Sequence, residues 1–347
     1  MKIIDDFKKL FQDQLCKERN TNTVLKKGPK IVVIGGGTGL SVLLRGLKKH
    51  TPNITAIVTV ADDGGGSGVL REDLGMLPPG DIRNCLLALA NTEPTMEKML
   101  QYRFKEGSLK GQNFGNLFIA VMNEIYGSFE LAIKEMSNVL AITGQVLPMT
   151  LQDVKLYARL KNGHIVQGES SIPRKCIELN SSIESVFIKP KKVQPLKETI
   201  EAIKASDCII LGPGSLYTSI IPNLLVHEIL REIEQSSAVK IYIANTMTQP
   251  GETDNYSVLD HVNAIKNNTS KNIIDYVIAN TEDVPKYALE RYINDGSRPV
   301  IIADEEEEKL LNQNIVVIKD NLIDIKKDYI RHDNDRLSDI IMKLINS

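Results

Sequence analysis

The segment KIVVIGGGTGLSVLLRGLKKH, residues 30–50, constrains the fold more than any other. An apolar run of strand length meets a cluster of glycines and continues as a helix with an apolar stripe. The grammar repeats at ITAIVTVADDGGG (54–66), followed by DIRNCLLALA (81–90). It returns at CIILGPGSLYTS, KIYIANTMTQ, DYVIANTED, RPVIIADE and NIVVIKD. Apolar strands alternating with helices predict parallel βαβ units. The expected architecture is α/β: a Rossmann-like, doubly wound, mainly parallel sheet in three α/β/α layers. Between the two blocks, VKLYARLKNGHIVQGESSI carries Asn162 and Gly163 between short alternating runs, which predicts a two-residue hairpin turn. The expected domains are therefore a single α/β domain over 29–347, with a small antiparallel β-hairpin insertion near 151–190, and an extension over 1–28. Within that extension, Ile3, Ile4, Phe7, Leu10, Phe11 and Leu15 are spaced as one face of a helix. It serves either as a helix docked on its own domain or as a contact to a partner or membrane surface.

Bulk composition narrows the function classes. With 347 residues and a net charge of −2, nothing calls for nucleic acid or an anionic membrane as the main partner. Phosphate chemistry must then be local. The four cysteines, Cys16, Cys85, Cys176 and Cys208, lie far apart without a C-x-x-C spacing, which points to a reducing compartment and away from zinc. No apolar run approaches the roughly 18 residues of a membrane span, and the start lacks the layout of a signal peptide. The expected localisation is cytoplasmic. The acidic run DEEEE at 304–308 reads as the first turn of a solvated helix, where the helix dipole favours acids.

The glycine turns carry the binding chemistry. Gly36, Gly37, Thr38 and Gly39 follow a strand and open a helix, so backbone N–H groups converge on one spot that suits phosphate. The alternative is a tight turn without a ligand. Asp62 ends the next strand 25 positions after Gly37, near the interval at which dinucleotide folds place an acid on ribose. Asp62 and Asp63 cannot both face one ribose, since successive strand residues point opposite ways. One binds ribose or a divalent cation and the other holds the loop, or both cap a turn. Gly64, Gly65 and Ser67 let the backbone approach the same ligand. In LPPGDIRN, Asp81 is a credible N-cap, and Arg83 in the first helical turn opposes the helix dipole by about 0.3–1 kcal/mol. An anionic ligand, Asp81 or Glu72 would compensate it. Asn113 and Asn116, in GQNFGN, offer amides to a ligand or to their own turn. Gly214 and Ser215, in GPGSLYTS, form a second backbone nest, and two such turns on one parallel sheet converge at its carboxyl edge. NTMTQPGET contributes Asn245, Thr248, Gln249 and Glu252, polar groups suited to sugar hydroxyls or a base.

The motifs IVVIGGGTGLSVLLRGL, TVADDGGGSGVLREDLGMLPPGDIRNCLLALA, GNLF, GESSIP, GPGSLYTSIIPNLLV and NTMTQPGETDNYSVLDHV together resemble the gluconeogenesis factor (YvcK-type) family of the CofD-like superfamily. The resemblance runs from about residue 30 to the end. It implies a Rossmann-like sheet binding a uridine-diphosphate sugar such as UDP-N-acetylglucosamine, in a cytoplasmic regulator of cell shape and wall synthesis on gluconeogenic carbon. It implies no required cofactor and no established reaction, with regulatory proteins of wall synthesis as partners and a homo-oligomer compatible with the family. Its more distant relatives, the 2-phospho-L-lactate transferases, use magnesium with a nucleotide-activated donor; on that reading Asp62 or Asp63 would hold the metal. By position, Tyr292 in RYINDGSRPV and Arg331 in YIRHD correspond to nucleotide-sugar contacts. Two places depart from the family pattern: Gly66 stands where serine is usual, and Gln112–Asn113 where His–Ser is usual. A nicotinamide-dependent oxidoreductase is a third reading; an NAD-like nucleotide fits the first loop, but no Tyr-x-x-x-Lys or acid–His pair completes it.

Overall fold

A computed structural model describes residues 28–269, 271–326 and 329–346. Seven parallel strands form the central sheet: β1 (Ile31–Gly35), β2 (Ile54–Val58), β3 (Gln145–Pro148), β7 (Cys208–Leu211), β8 (Val239–Ile243), β9 (Tyr276–Asn280) and β10 (Val316–Asp320). Their spatial order is β10-β9-β8-β7-β1-β2-β3. The chain starts in the middle, steps outward through β2 and β3, returns beside β1 as β7, and steps outward the other way. Ile31 is in register with Ile54 on one side and Cys208 on the other. The order therefore reverses between β1 and β7, and open α/β sheets bind ligands beyond the carboxyl ends of such strands.

Every residue of β1, β2 and β7 is buried, as required of strands covered by helices on both faces. Helix Gly37–Leu47 packs between helices Gly80–Leu89 and Asn334–Asn346, and helix Lys197–Lys204 packs on His227–Gln235. Cys85, Cys176 and Cys208 are free and buried in this interior.

The insertion differs from the expected hairpin in two ways. Strands β4 (Lys155–Leu160) and β5 (Ile165–Gln167) pair antiparallel, but β6 (Ile183–Lys189) joins them, giving the order β5-β4-β6. The turn also has three residues rather than two: the Leu160 N–H donates to the His164 carbonyl at 2.9 Å, and Gly163 takes φ +88°. A second hairpin, β11 (Ile323–Lys326) with β12 (Tyr329–His332), was not anticipated. RPVIIADE is not a strand: only Pro299 makes an isolated bridge, to Met247, and Ile301 is exposed. Its apolar run lines a loop into helix Asp304–Leu311, where the four acids at 304–307 occupy the first turn. The amphipathic helix read at residues 3–15 lies outside the described residues, and no helix among those described is long and apolar enough to cross a membrane.

The helix Asn334–Asn346 closes the layer only because residue 46 has no side chain; a Cβ there would run into the Asn334 carbonyl and the Ser338 hydroxyl. Gly46→Ala is expected to destabilise the fold by about 1–3 kcal/mol. Urea unfolding measures this, and an unchanged midpoint would contradict the close packing.

Candidate functional site

Strand β1 delivers the chain to Gly36 and then to Gly37, whose φ of +70° favours glycine, and helix Gly37–Leu47 begins there without a side-chain cap. Strand β7 does the same through Gly212, φ +85°, to Ser215, which precedes a helical turn over Leu216–Ile220, also without a side-chain cap. Because β1 and β7 are neighbours, the two corners touch. A Cβ on Gly39 would sit 2.9 Å from the Pro213 carbonyl oxygen, and one on Gly214 would sit 3.1 Å from that of Gly36. Backbone meets backbone, so the N-termini of both helical segments border a common cleft of about 580 Å³.

Thirteen of the nominated residues line that cleft: Gly36, Gly37, Thr38, Gly39, Asp62, Gly214, Ser215, Asn245, Thr248, Gln249, Glu252, Tyr292 and Arg331. Gln249 Nε2 donates to Ser215 Oγ at 2.7 Å, tying the loop after β8 to the second corner. β2 ends at Val58, so Asp62 and Asp63 lie in the loop beyond it rather than at the strand end, and they take separate roles. Asp62 faces the cleft, while Asp63 Oδ1 accepts from the Ser170 N–H and hydroxyl at 2.9 and 2.8 Å. Asp63 thereby anchors the insertion and presents Glu169 to the cleft. Gly64 and Gly65 do not line the cleft; the Gly64 N–H donates to Asp62 Oδ1 at 2.8 Å and fixes that carboxylate.

Ser67, Arg83, Asn113 and Asn116 are not brought to the cleft but form a buried polar run behind it. Asn116 Nδ2 reaches Ser67 Oγ at 3.4 Å, and Asn116 Oδ1 accepts from Arg83 Nη1 at 2.6 Å. Asn113 caps helix Phe114–Tyr126, accepting from the Asn116 N–H at 3.2 Å. The two departures from the family pattern lie against each other in the same region. A Cβ at Gly66 would be 2.9 Å from Gln112 Oε1, so the glutamine occupies room a larger residue 66 would need.

Asp81 is a correction. Helix Gly80–Leu89 starts one residue earlier, with Pro79 as N-cap, and the Asp81 carboxylate accepts from the Gly37 N–H instead. At the second corner, Glu252 accepts from the Tyr217 N–H at 3.3 Å and from Thr218 Oγ1 at 3.2 Å. Each backbone nest therefore already holds one of the protein's own carboxylates. Burial raises Asp62 above its ordinary range. Burial, then the charge of Asp62, pushes Asp81 up to about 6. Burial pushes Glu252 up to about 7, and burial followed by the charges of Asp62 and Glu252 pushes Glu169 up to about 8. Glu169 escapes sequence reading because its signal, a partly buried acid in the turn after β5, exists only once Asp63 pins the loop.

Tyr292 and Arg331 both line the cleft. The Ile330 N–H donates to the Tyr292 hydroxyl at 3.0 Å, while Met247, Val284, Ala288 and Ile330 make a small separate core. His332 is buried with Nε2 3.1 Å from the Ala244 carbonyl oxygen, and burial pushes its pKa down to about 4. These contacts anchor the β11–β12 hairpin on the ends of the sheet and aim Arg331 at the cleft, its guanidinium 5.4 Å from the Tyr329 ring centre.

A match to the family described as "2-phospho-L-lactate transferase CofD" spans residues 31–323. The chain belongs to this family. A relative from Thermoanaerobacterium thermosulfurigenes is 58% identical over 93% of this chain and 99% of its own length. The Bacillus subtilis protein named gluconeogenesis factor is 48% identical over 91% of this chain and 98% of its own. A crystal structure of a UPF0052 family member from Bacillus halodurans superposes with a TM-score of 0.86 at 44% identity, covering 90% of this chain and 99% of that one.

The raised carboxyl groups make stability depend on pH. A folded state holding protons on Glu169 and Glu252, which the unfolded chain releases near pH 4.3, loses stability as pH rises through about 7 to 8. His332, pushed down to about 4, acts in the opposite sense but is exhausted above its ordinary value of 6.5. Between pH 6.5 and 8.5 the urea midpoint is expected to fall, and Glu169→Gln is expected to flatten the fall. An equal slope in both proteins would show that Glu169 ionises freely.

Proposed function

We propose that the cleft binds a nucleotide sugar of the UDP-N-acetylglucosamine kind, and that the protein is a cytoplasmic regulator coupling that ligand to cell-wall synthesis and morphogenesis on gluconeogenic carbon. The observation that carries this reading is the contact between Gly39 and Pro213, which points two backbone amide clusters at one place. A diphosphate presents an anion to each. Arg331 pairs two phosphate oxygens at once. Asn245, Thr248 and Gln249, along the loop after β8, supply donors and acceptors for sugar hydroxyls or a base.

The acids in the same cleft favour a second reading, a magnesium-dependent transferase with a nucleoside-diphosphate-activated donor. Asp62, Asp81, Glu169 and Glu252 all line it. Among the described residues no three His, Cys, Asp or Glu side chains are grouped to hold a metal by themselves. Magnesium is commonly bound through one or two carboxylates together with ligand phosphates. Asp62 fits that use as the cleft-facing acid, whereas Asp63, committed to Ser170, does not. A metal there would screen the diphosphate from the acids.

Titration with UDP-N-acetylglucosamine, NAD and GDP, with and without magnesium and followed by recovery of the ligand, separates the readings. The regulator binds the UDP sugar without metal and returns it intact, whereas metal-dependent breakdown identifies the transferase. Arg331→Ala is expected to weaken UDP-sugar binding by more than about 1.5 kcal/mol, over tenfold in Kd, with the melting temperature of the free protein unchanged. Equal affinity in both proteins removes Arg331 from the site.

A further inference from the structure

A second pocket of about 270 Å³ lies on the far side of Thr38, the residue it shares with the main cleft. Arg45, Arg83 and Arg103 line it together with Ser41, Asn84 and Asn113, and among the described residues no carboxylate does. Arg83 is the anomaly. Its side chain lies along helix Phe114–Tyr126 at Gly115, where a Cβ would run into the Leu100 carbonyl oxygen and lie 2.7 Å from Arg83 Cδ. The residue is 9% exposed, yet among the described residues its guanidinium bonds only to neutral amides: Asn116 Oδ1 at 2.6 Å and Asn84 Oδ1 at 2.7 Å. Its Nε is buried without a partner, and no ion pair among the described residues includes it. A buried cation paired only with neutral groups is costly. Neither compensator considered from the sequence bonds to it: Asp81 is turned to the Gly37 N–H and acts on Arg83 only through its charge, as Asp62 does, and Glu72 lines a different pocket. Arg45 has its own partner, Glu97, at 3.3 Å, while Arg103 adds a like charge. Burial first, and Arg103 second, hold the Arg83 guanidinium down to about 10, against the opposing charges of Asp81 and Asp62.

We propose that this arginine pocket is an anion-binding subsite for the phosphate or carboxylate group of a small second ligand, distinct from the nucleotide in the main cleft. The volume admits a small molecule and not a nucleotide, and the anion would complete the missing charge partner of Arg83 and Arg103. The hydrogen-bonded run from Arg83 through Asn116 to Ser67, which also bonds Asp62, leads from this pocket to the acid of the main cleft. Occupancy of one site is thus physically connected to the other.

Calorimetric titration of the full chain at low ionic strength with inorganic phosphate, and separately with malonate, tests this. The expected result is one site per chain for at least one probe, the tighter probe naming the group, with Kd raised at least tenfold by Arg103→Glu and by Arg83→Gln. Arg103 is exposed, so its variant reports even where Arg83→Gln fails to fold. The same titration with saturating UDP-N-acetylglucosamine is expected to retain the site. No binding of either probe, equal binding by wild type and Arg103→Glu, or simple displacement by the UDP sugar would each overturn the proposal. The titrations without nucleotide stand whether or not the main cleft accepts a UDP sugar, so the two readings fail separately.

Discussion

The packing of Gly36 and Gly39 against Pro213 and Gly214 is the constraint on which the rest depends. It is a contact of backbone with backbone, made possible because the strand order reverses between β1 and β7. A side chain at Gly39 would press on the Pro213 carbonyl, and one at Gly214 on the Gly36 carbonyl, so either would push the corners apart. Once they touch, two helical N-termini share one opening, and the loop after β8, the insertion and the β11–β12 hairpin have only its rim left to occupy. A Cβ on Gly251 would strike Pro173, so the first two of these also close on each other directly.

The electrostatic balance of the cleft is unusual for an anion site. Two nests that would otherwise be free for phosphate already receive Asp81 and Glu252, and Asp62 and Glu169 add two more acids. Two unit charges about 4 Å apart interact by about 4 kcal/mol at an effective dielectric of 20, enough to expel a diphosphate if every acid were ionised. Glu169, pushed to about 8, is mainly neutral at pH 7, and Glu252, at about 7, is half protonated. Neutral carboxyls donate hydrogen bonds to phosphate oxygens. On the proposed reading, burial favours entry of an anion near neutrality and opposes it as pH rises, unless a cation enters with it.

Much of the fold was legible because its signals are local. Apolar strands of four or five residues, glycine turns and helix starts are read one segment at a time, and the seven strands follow from them apart from short β3 and the misread RPVIIADE. That segment is apolar for a different reason: it lines a loop beside β8 and never enters the sheet. The cleft was legible where the sheet edge dictates it, at Thr38, Asp62, Ser215 and Gln249. Ser67, Arg83, Asn113 and Asn116 carry the same polar signature yet bond to one another, because whether an amide faces a ligand or a neighbour is decided by packing between helices distant in sequence. Glu169 and the Asp81–Gly37 contact were invisible for the same reason.

The central claim is that the two corners act as one seat for a diphosphate. Amide chemical shifts of Thr38, Gly39, Gly214 and Ser215, followed by ¹⁵N–¹H NMR while UDP is added, test it most directly. All four are predicted to move along a single binding curve with one dissociation constant. Movement confined to one corner, or two curves with different midpoints, would contradict the account.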